Sequence, residues 1–537
     1  MQNKYIAYWV MFLGVITLLG VIVVPPYDIA TGDMVYQKLC LGRMSIVFLV
    51  CSLISLYLNK KGSAFYSSII WSFIILGGVE AVWGMEQIYG FVTSNHSLFT
   101  LTGSFYNPGP YSGYLAMVFP ICLNEWLSLR KNQRHTLLEQ GKYYLVLGVL
   151  LLILCVLPAG MSRSAWIAII ISSIWLYGIH SSWGTHLKAI VKKNKKRLFS
   201  IIIFGGIILI MSGYVLFHLK ADSANGRLLI WKVNVMAISE KPLLGYGVGN
   251  FASAYGMAQE NYFAMGKYSA KEELVAGNPE YAFNEYMQVA IECGIPFLIV
   301  ILLVIAFAFW KGLTERRFGA CGGLISVLIF AFSSYPMQIP GFAIAFYFLL
   351  AACVVGYSRI SILLFSLMIN LLGIYYLRYN QYSACKEWCK CKKLYSVGAY
   401  QAAKKDYEKL YLELNNQKAF LFEYGHCLHK LKEYEASIDI LKEAGKYSND
   451  PMILNIIGKN YQSMGEYEKA EEWLIRSTHR LPGRIYPYYL LAKLYAEPQY
   501  YQPEKLKWAI EIVLTKNPKV ESNAIQEMRE EVKKISF

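Results

Sequence analysis

Residues 143–179 read YYLVLGVLLLILCVLPAGMSRSAWIAIIISSIWLYGI, two apolar runs (143–158 and 164–179) parted by a few small and polar residues. Each run is nearly long enough to carry a helix across a hydrocarbon core of about 30 Å. In that medium a helix satisfies its own backbone, so the stretch reads as a hairpin of membrane spans closed by a tight turn at 160–166. Working outward, comparable runs lie at 6–24, 40–58, 66–83, 111–127, 199–216, 285–309, 318–333, 341–357 and 360–377, eleven in all. The first is not read as a cleavable signal, because it has a single early Lys4 and no small-x-small cleavage site. Of the 537 residues, 55% are apolar and 16% charged, against about 25% charged in soluble domains. That balance excludes a single soluble enzyme, a secreted disulfide scaffold and a disordered chain.

The net charge of +16 is mostly topological. With the N-terminus placed in the cytoplasm, inner loops carry seventeen basic residues, among them Lys60, Lys61, Arg130, Lys131, the run Lys188–Arg197, and Arg316 and Arg317. The short outer loops carry only Lys38 and Arg163, an asymmetry that fixes orientation. An odd number of spans then puts the C-terminal part outside, with two long outer segments at about 84–110 and 217–284.

From about residue 378 the sequence becomes ordinarily polar and periodic. VGAYQAAKKDYEKL, LKEYEASIDILKEA and MGEYEKAEEWLIRS place Tyr400, Tyr434 and Tyr467 34 and 33 residues apart. Gly425, Gly458 and Ala492 recur as small residues where paired helices would touch, followed by Leu428, Tyr461 and Tyr495. This pattern resembles the tetratricopeptide repeat, which implies an α-solenoid of helix pairs, serving either to bind a partner or as a spacer. Cys385, Cys389 and Cys391 lack the second matching pair of a zinc site and read as structural cysteines, with a metal site or a disulfide as alternatives. The expected fold is all-α: a polytopic bundle of about eleven to twelve spans over 1–377, then a repeat domain over 378–537.

Four polar clusters interrupt the apolar pattern, all on the outer side. GSFYNPGPYSGY (103–114) offers Tyr106 and Asn107 to a polar ligand, or simply starts a helix. GMSRSAW (160–166) carries Ser162 and Arg163, a cation against the charge bias of its side. Its guanidinium fork suits either lipid phosphate or an anionic substrate. In NGRLLIWKVNVMAISEKPLLGYGVGNF (225–251), Leu228, Leu229, Trp231, Val235 and Met236 suggest an amphipathic interfacial helix anchored by Trp231. Arg227 is expected in its first turn, where free N–H groups favour anions. The glycines after it lack the GK[ST] ending of a phosphate loop and read as a turn. NPEYAFNEYMQVAIECGIP (278–296) sets Asn284, Glu285 and Gln288 at the mouth of a span, as structure or as functional groups; Glu80 and Glu86 share that ambiguity.

In this order and on this side, the clusters resemble the O-antigen ligase and polysaccharide polymerase family of membrane glycan transferases. The most specific part is GR-x3-W-x12-PLLGYGVGNF, with Arg227, Trp231, Pro242, Gly245, Gly247 and Phe251, supported by Ser162-Arg163 and NEY-x-Q. The resemblance covers about residues 1–377. It implies a GT-C-like, multi-pass glycosyltransferase of the bacterial inner membrane, acting on its periplasmic face in lipopolysaccharide or surface-polysaccharide biosynthesis. The implied donor is an undecaprenyl-diphosphate-linked glycan. The acceptor is lipid A-core, another glycan (polymerase) or a protein hydroxyl. Residues matching Arg163 and Arg227 would bind the diphosphate without a metal or other cofactor. Tyr106, Asn107, Ser162, Trp231, Asn284 and Gln288 would line the substrate. The family often carries His before the Asn at the span mouth, where this chain has Phe283. The expected base is therefore Glu285, with His96 or Glu80 as substitutes, or no dedicated base at all. A lipid-linked glycan transporter and a non-catalytic membrane scaffold are the competing classes. Nucleic acid is not expected as a partner, whereas membrane lipids and a protein partner for the repeats are.

Overall fold

The computed structural model describes residues 2–25, 34–59, 63–131, 136–181, 221–356 and 358–535. Among these residues every extended regular element is a helix, and the chain divides into two compact units. The first comprises Met1–Leu219, Phe283–Glu285 and Ile299–Tyr382; the second comprises Lys220–Ala282, Tyr286–Leu298 and Ser383–Phe537.

The first unit contains α1 (Gln2–Leu19), α2 (Val35–Leu58), α3 (Ser63–Ile88), α4 (Pro108–Lys131), α5 (Leu137–Val156) and α6 (Arg163–His180). Phe318–Ala331, Pro340–Val354 and Arg359–Tyr376 complete it, with most of Ile295–Thr314. Helices thus occupy ten of the eleven expected runs, and six are long and apolar enough to cross a membrane. The run 199–216 and the lysines of 188–197 fall outside the described residues. The unit has one contiguous apolar core, in which Phe48, Phe73, Tyr111, Tyr114, Phe330 and Phe342 are fully buried. Buried polar side chains are spent on neighbouring main chain, as when Ser326 donates to Ala116 O at 2.6 Å and Ser104 to Ile22 O at 2.9 Å.

The run 285–309, expected as one span, is two helices, Glu285–Cys293 and Ile295–Thr314. They part at Gly294, whose φ is +84° and where a Cβ would fall 2.1 Å from Leu243 O. The cause is the PLLGYGVGNF stretch: Tyr246 N–H and Gly247 N–H donate to Ile291 O and Glu292 O, both at 2.8 Å, and Ile295 N–H donates to Pro242 O. Amides from a distant segment thereby satisfy the carbonyls at the helix end, one of which, Glu292 O, a continuing helix could not have served because residue 296 is proline and has no N–H. The glycine-rich stretch is a helix terminator.

In the second unit, Ala221–Glu240 buries Leu229, Val233 and Ala237 against Phe251, Ala254, Tyr255 and Ala258 of Phe251–Ala264. Four helical hairpins come next: Tyr379–Ser396 with Tyr400–Leu414, Lys418–Lys430 with Tyr434–Ala444, Pro451–Ser463 with Tyr467–Arg480, and Tyr486–Tyr495 with Pro503–Thr515. Asn523–Ile535 closes the row. The small residues of the sequence period explain the pairing: Leu441 lies against Gly425, and Leu474, one period on, lies against Gly458. Among the described residues Cys385, Cys389 and Cys391 form no disulfide, and Cys391 Sγ donates to Ala403 O at 3.5 Å.

Helix Phe251–Ala264 packs against Tyr467–Arg480, so the segment 220–282 and the hairpins share one unit. Glu260 accepts from Arg476 Nε and Arg480 Nη2, both at 2.7 Å, and Asn449 Nδ2 donates to Pro279 O at 2.8 Å. Lys418–Glu280 and Lys516–Glu273 add ion pairs along the same seam.

Candidate functional site

Polar residues ahead of α4 are held by a network with its root in α3. Gln87 Oε1 accepts from Thr102 N–H and Gly103 N–H at 2.8 Å, while its amide donates to Gly103 O at 3.1 Å. Glu80 Oε2 accepts from Ser104 N–H at 3.1 Å, and Tyr111 donates to the Glu80 carbonyl at 2.9 Å. Asn95 donates to the carbonyls of Ser104 and Phe105. A loop so tied down holds the residues at the head of α4 in a fixed place. Tyr106 is 40% exposed with its ring edge-on to His96 at 4.7 Å, and Asn107 Oδ1 accepts from Gly109 N–H at 2.9 Å at the start of the helix.

The turn between α5 and α6 comes up against this loop. Consecutive turn bonds, Ala159 N–H to Val156 O, Gly160 N–H to Leu157 O and Met161 N–H to Pro158 O, reverse the chain. Trp166 Nε1 donates back to Leu157 O at 3.1 Å. A Cβ on Gly160 would fall 2.2 Å from Ser112 Oγ. The first two polar clusters therefore meet, at neighbouring ends of α4 and α6. Ser162 is the residue before α6, and Arg163 is its first residue. Met161, at φ +46°, is one of four non-glycine residues in the left-handed region among those described.

Phe283 is another of the four, at φ +49°, and its ring stands perpendicular to Tyr335 at 5.2 Å. Asn284 and Glu285 are buried. Glu285 Oε1 accepts from Met337 N–H at 2.7 Å and Oε2 from the Gln338 amide at 2.9 Å. The carboxylate thereby fixes the one-turn 3-10 helix Pro336–Gln338 between Phe318–Ala331 and Pro340–Val354.

Arg227, Trp231 and Gln288 belong to the second unit. The helix carrying Arg227 already runs from Ala221, so Arg227 lies about two turns in and not among free N–H groups, contrary to the expected first-turn position. Helix Ala221–Glu240 packs through Leu229, Val233 and Ala237, and leaves Leu228 and Val235 more than half exposed. Beside it Lys232 bonds Glu272 and Tyr262, both at 2.7 Å, and this pairing, with the Ser269 amide, holds the Glu272 carboxyl down to about 2. Gln288 is not on a shared helix face with Asn284, because the helix begins at Glu285. Its side chain accepts from Ala282 N–H at 2.8 Å and donates to Glu292 at 2.7 Å.

Sequence reasoning missed Gln87, Asn95, Met337 and Gln338 as supports. Gln87 and Asn95 carried a signal, being amides beside an apolar run. The Met337 contribution carried none, since a main-chain amide is independent of residue type, and the side-chain amide of Gln338 reaches Glu285 from 53 residues away.

Residues 148–302 match the family model described as O-Antigen ligase. No curated protein matches the chain. Together with the apolar helices, this match supports a membrane protein with an enzymatic role in O-antigen ligase-like or polymerase-like glycan biosynthesis.

Proposed function

We propose that this chain transfers a glycan from undecaprenyl diphosphate to an acceptor hydroxyl on the outer face of the bacterial cytoplasmic membrane. In this reading 1–377 is the membrane-embedded part, and 378–537 is a tetratricopeptide-like domain on the same outer side. The observation that carries it is the extent of the O-antigen ligase match, because residues 148–302 contain Ser162, Arg163, Arg227, Trp231, Asn284, Glu285 and Gln288.

The acceptor oxygen forms a bond to the anomeric carbon as the bond from that carbon to the diphosphate oxygen breaks, and the electron pair leaves with the lipid diphosphate. Arg163 and Arg227 bind that diphosphate and offset its growing charge. Glu285 takes the hydroxyl proton. Tyr106, Asn107, Ser162, Trp231, Asn284 and Gln288 line the glycan and its lipid headgroup. The acceptor is lipid A-core, a second glycan chain or a protein hydroxyl.

The test is gene deletion with complementation, reading lipopolysaccharide, capsule and glycoprotein on gels alongside the lipid-linked donor pool. Accumulated donor, a missing glycan class, and no rescue by Arg163→Ala or Arg227→Ala at normal protein level support transfer. The expected rate loss is on the order of 10²–10³ for each arginine. Full rescue by both variants would instead favour a non-catalytic scaffold. That second reading is favoured by Phe283 at the family's histidine position and by the structural bonds Glu285 already makes.

A further inference from the structure

In the hairpin row, the residues directly after the small positions Gly425, Gly458 and Ala492 are His426, Lys459 and Lys493. They bring one polar seam together across successive hairpins. Tyr395 hydroxyl and His426 Nδ1 are 2.5 Å apart, and the rings of Phe422 and His429 lie parallel or nearly so to His426 at 6.3 and 6.0 Å. His429 Nδ1 bonds Asn460 Oδ1 at 2.6 Å, and Asn460 Nδ2 donates to Ser437 at 2.9 Å. Both ends of that amide are therefore occupied.

Lys459 is partly buried, and the charges acting on it are Lys430 and Lys493, both cations. Burial and these neighbours hold its ammonium below the usual lysine range. The seam continues into a cavity of about 360 Å³ whose lining includes Lys459, Gln462, Tyr486, Tyr489, Lys493 and Glu531. That volume lies within the range of small-ligand clefts, about 300–1,000 Å³. Lys493 reaches Tyr489 hydroxyl at 3.2 Å and stands 3.9 Å from Glu531, while Glu527 adds a second carboxylate at the same end.

We infer that this seam binds an acidic oligosaccharide, a glycan bearing carboxylates, through Lys459, His426 and the tyrosine rings. Lys493 has Glu531 beside it, whereas Lys459 makes no ion pair among the described residues and faces two further cations, an arrangement that calls for a negative ligand group at Lys459. Flat phenol and imidazole faces suit pyranose rings, whose axial C–H bonds pack on aromatic carbon. The carboxylates of Glu527 and Glu531 accept hydrogen bonds from sugar hydroxyls, which an acidic peptide lacks. Asn460, the amide at the centre of the seam, is already bonded at both ends and is not free to grip a peptide backbone. The inference rests on the glycan-transfer proposal only for the source of the ligand, the acidic chain being that which the membrane part handles.

The experiment is calorimetric titration of the full chain in nanodiscs with three probes: hexagalacturonate, maltohexaose and hexaglutamate peptide. Hexagalacturonate binds, maltohexaose binds at least about tenfold more weakly, and Lys459→Met weakens hexagalacturonate by about tenfold, while Lys459→Arg stays within about threefold. An unchanged thermal transition in both variants separates lost contact from lost fold. No hexagalacturonate binding, binding unchanged by Lys459→Met, or hexaglutamate binding as tightly as the glycan would each overturn the inference. Because no turnover is read, failure here leaves the transfer proposal standing. Inactive arginine variants that still bind hexagalacturonate place their defect in the membrane-embedded part.

Discussion

Arg480 ends its helix with Nη2 2.7 Å from Glu260 Oε2, across 220 residues of sequence, and both side chains are nearly enclosed. Arg476 takes the other oxygen of the same carboxylate at 2.7 Å. Burial lowers the Arg480 pKa, and Glu260 opposes that shift. Removing one partner of such a pair strands a buried charge. Glu260→Ala is therefore expected to cost about 3–5 kcal/mol, read as faster hydrogen exchange in Phe251–Ala264 and Tyr467–Arg480 together. The joint change Glu260→Leu with Arg480→Met should cost less than either single loss. Equal costs would show that the pair does not couple the two helices.

Gly256 lies under that ion pair, where a Cβ would fall 2.6 Å from Arg480 Nη1 and 2.8 Å from Asn449 Cβ. Gly256→Val should destabilise the second unit by about 1–3 kcal/mol through overpacking. A thermal melt that matched the parent chain would contradict this.

At the turn between α5 and α6, Gly160→Ala sets its methyl against Ser112 Oγ, a buried hydroxyl with no bonding partner among the described residues. Ser112→Ala alone should be nearly neutral. Combined with Gly160→Ala it should restore the product that Gly160→Ala loses. Complementation of the deletion strain reads both, and failure of the second change to rescue would mean that the turn is not positioned by this contact.

Gln338→Leu removes the amide donor to Glu285 Oε2 and leaves the Met337 N–H in place. If Glu285 acts as base, losing this donor moves the pH profile of the transfer rate while donor binding holds. A profile that drops in height without moving assigns Glu285 to structure alone.

His426 supplies a pH signature for the hairpins. Burial, with the charges of Lys430, His429 and Lys459, pushes its imidazole down to about 4. The unfolded chain binds a proton near pH 6.5 that the folded chain refuses, so this site lowers stability as pH falls from about 6.5 toward 4. Glu272, held down to about 2, weakens the segment 220–282 only as pH falls below the ordinary carboxylate value of 4.5. Exchange rates in Lys418–Lys430 should therefore rise before those in Ala270–Val275, and His426→Gln should flatten the first response.

The amino-acid sequence by itself determined where helices form and which hairpins recur. Apolar runs and a 33–34-residue period are local signals, because burial in lipid or against the next hairpin is required wherever such a run occurs. Gly425 and Gly458 could be singled out for the same reason, each meeting a leucine sixteen positions later in its own hairpin. What only the tertiary structure decided are the polar pairings made at long range. Met337 and Gln338 occupy the carboxylate of Glu285, and Arg480 finds Glu260. A hydrogen bond rewards an atom for the partner that arrives, and which partner arrives is set by folding of the whole chain. Nothing in the spacing of either residue announces it.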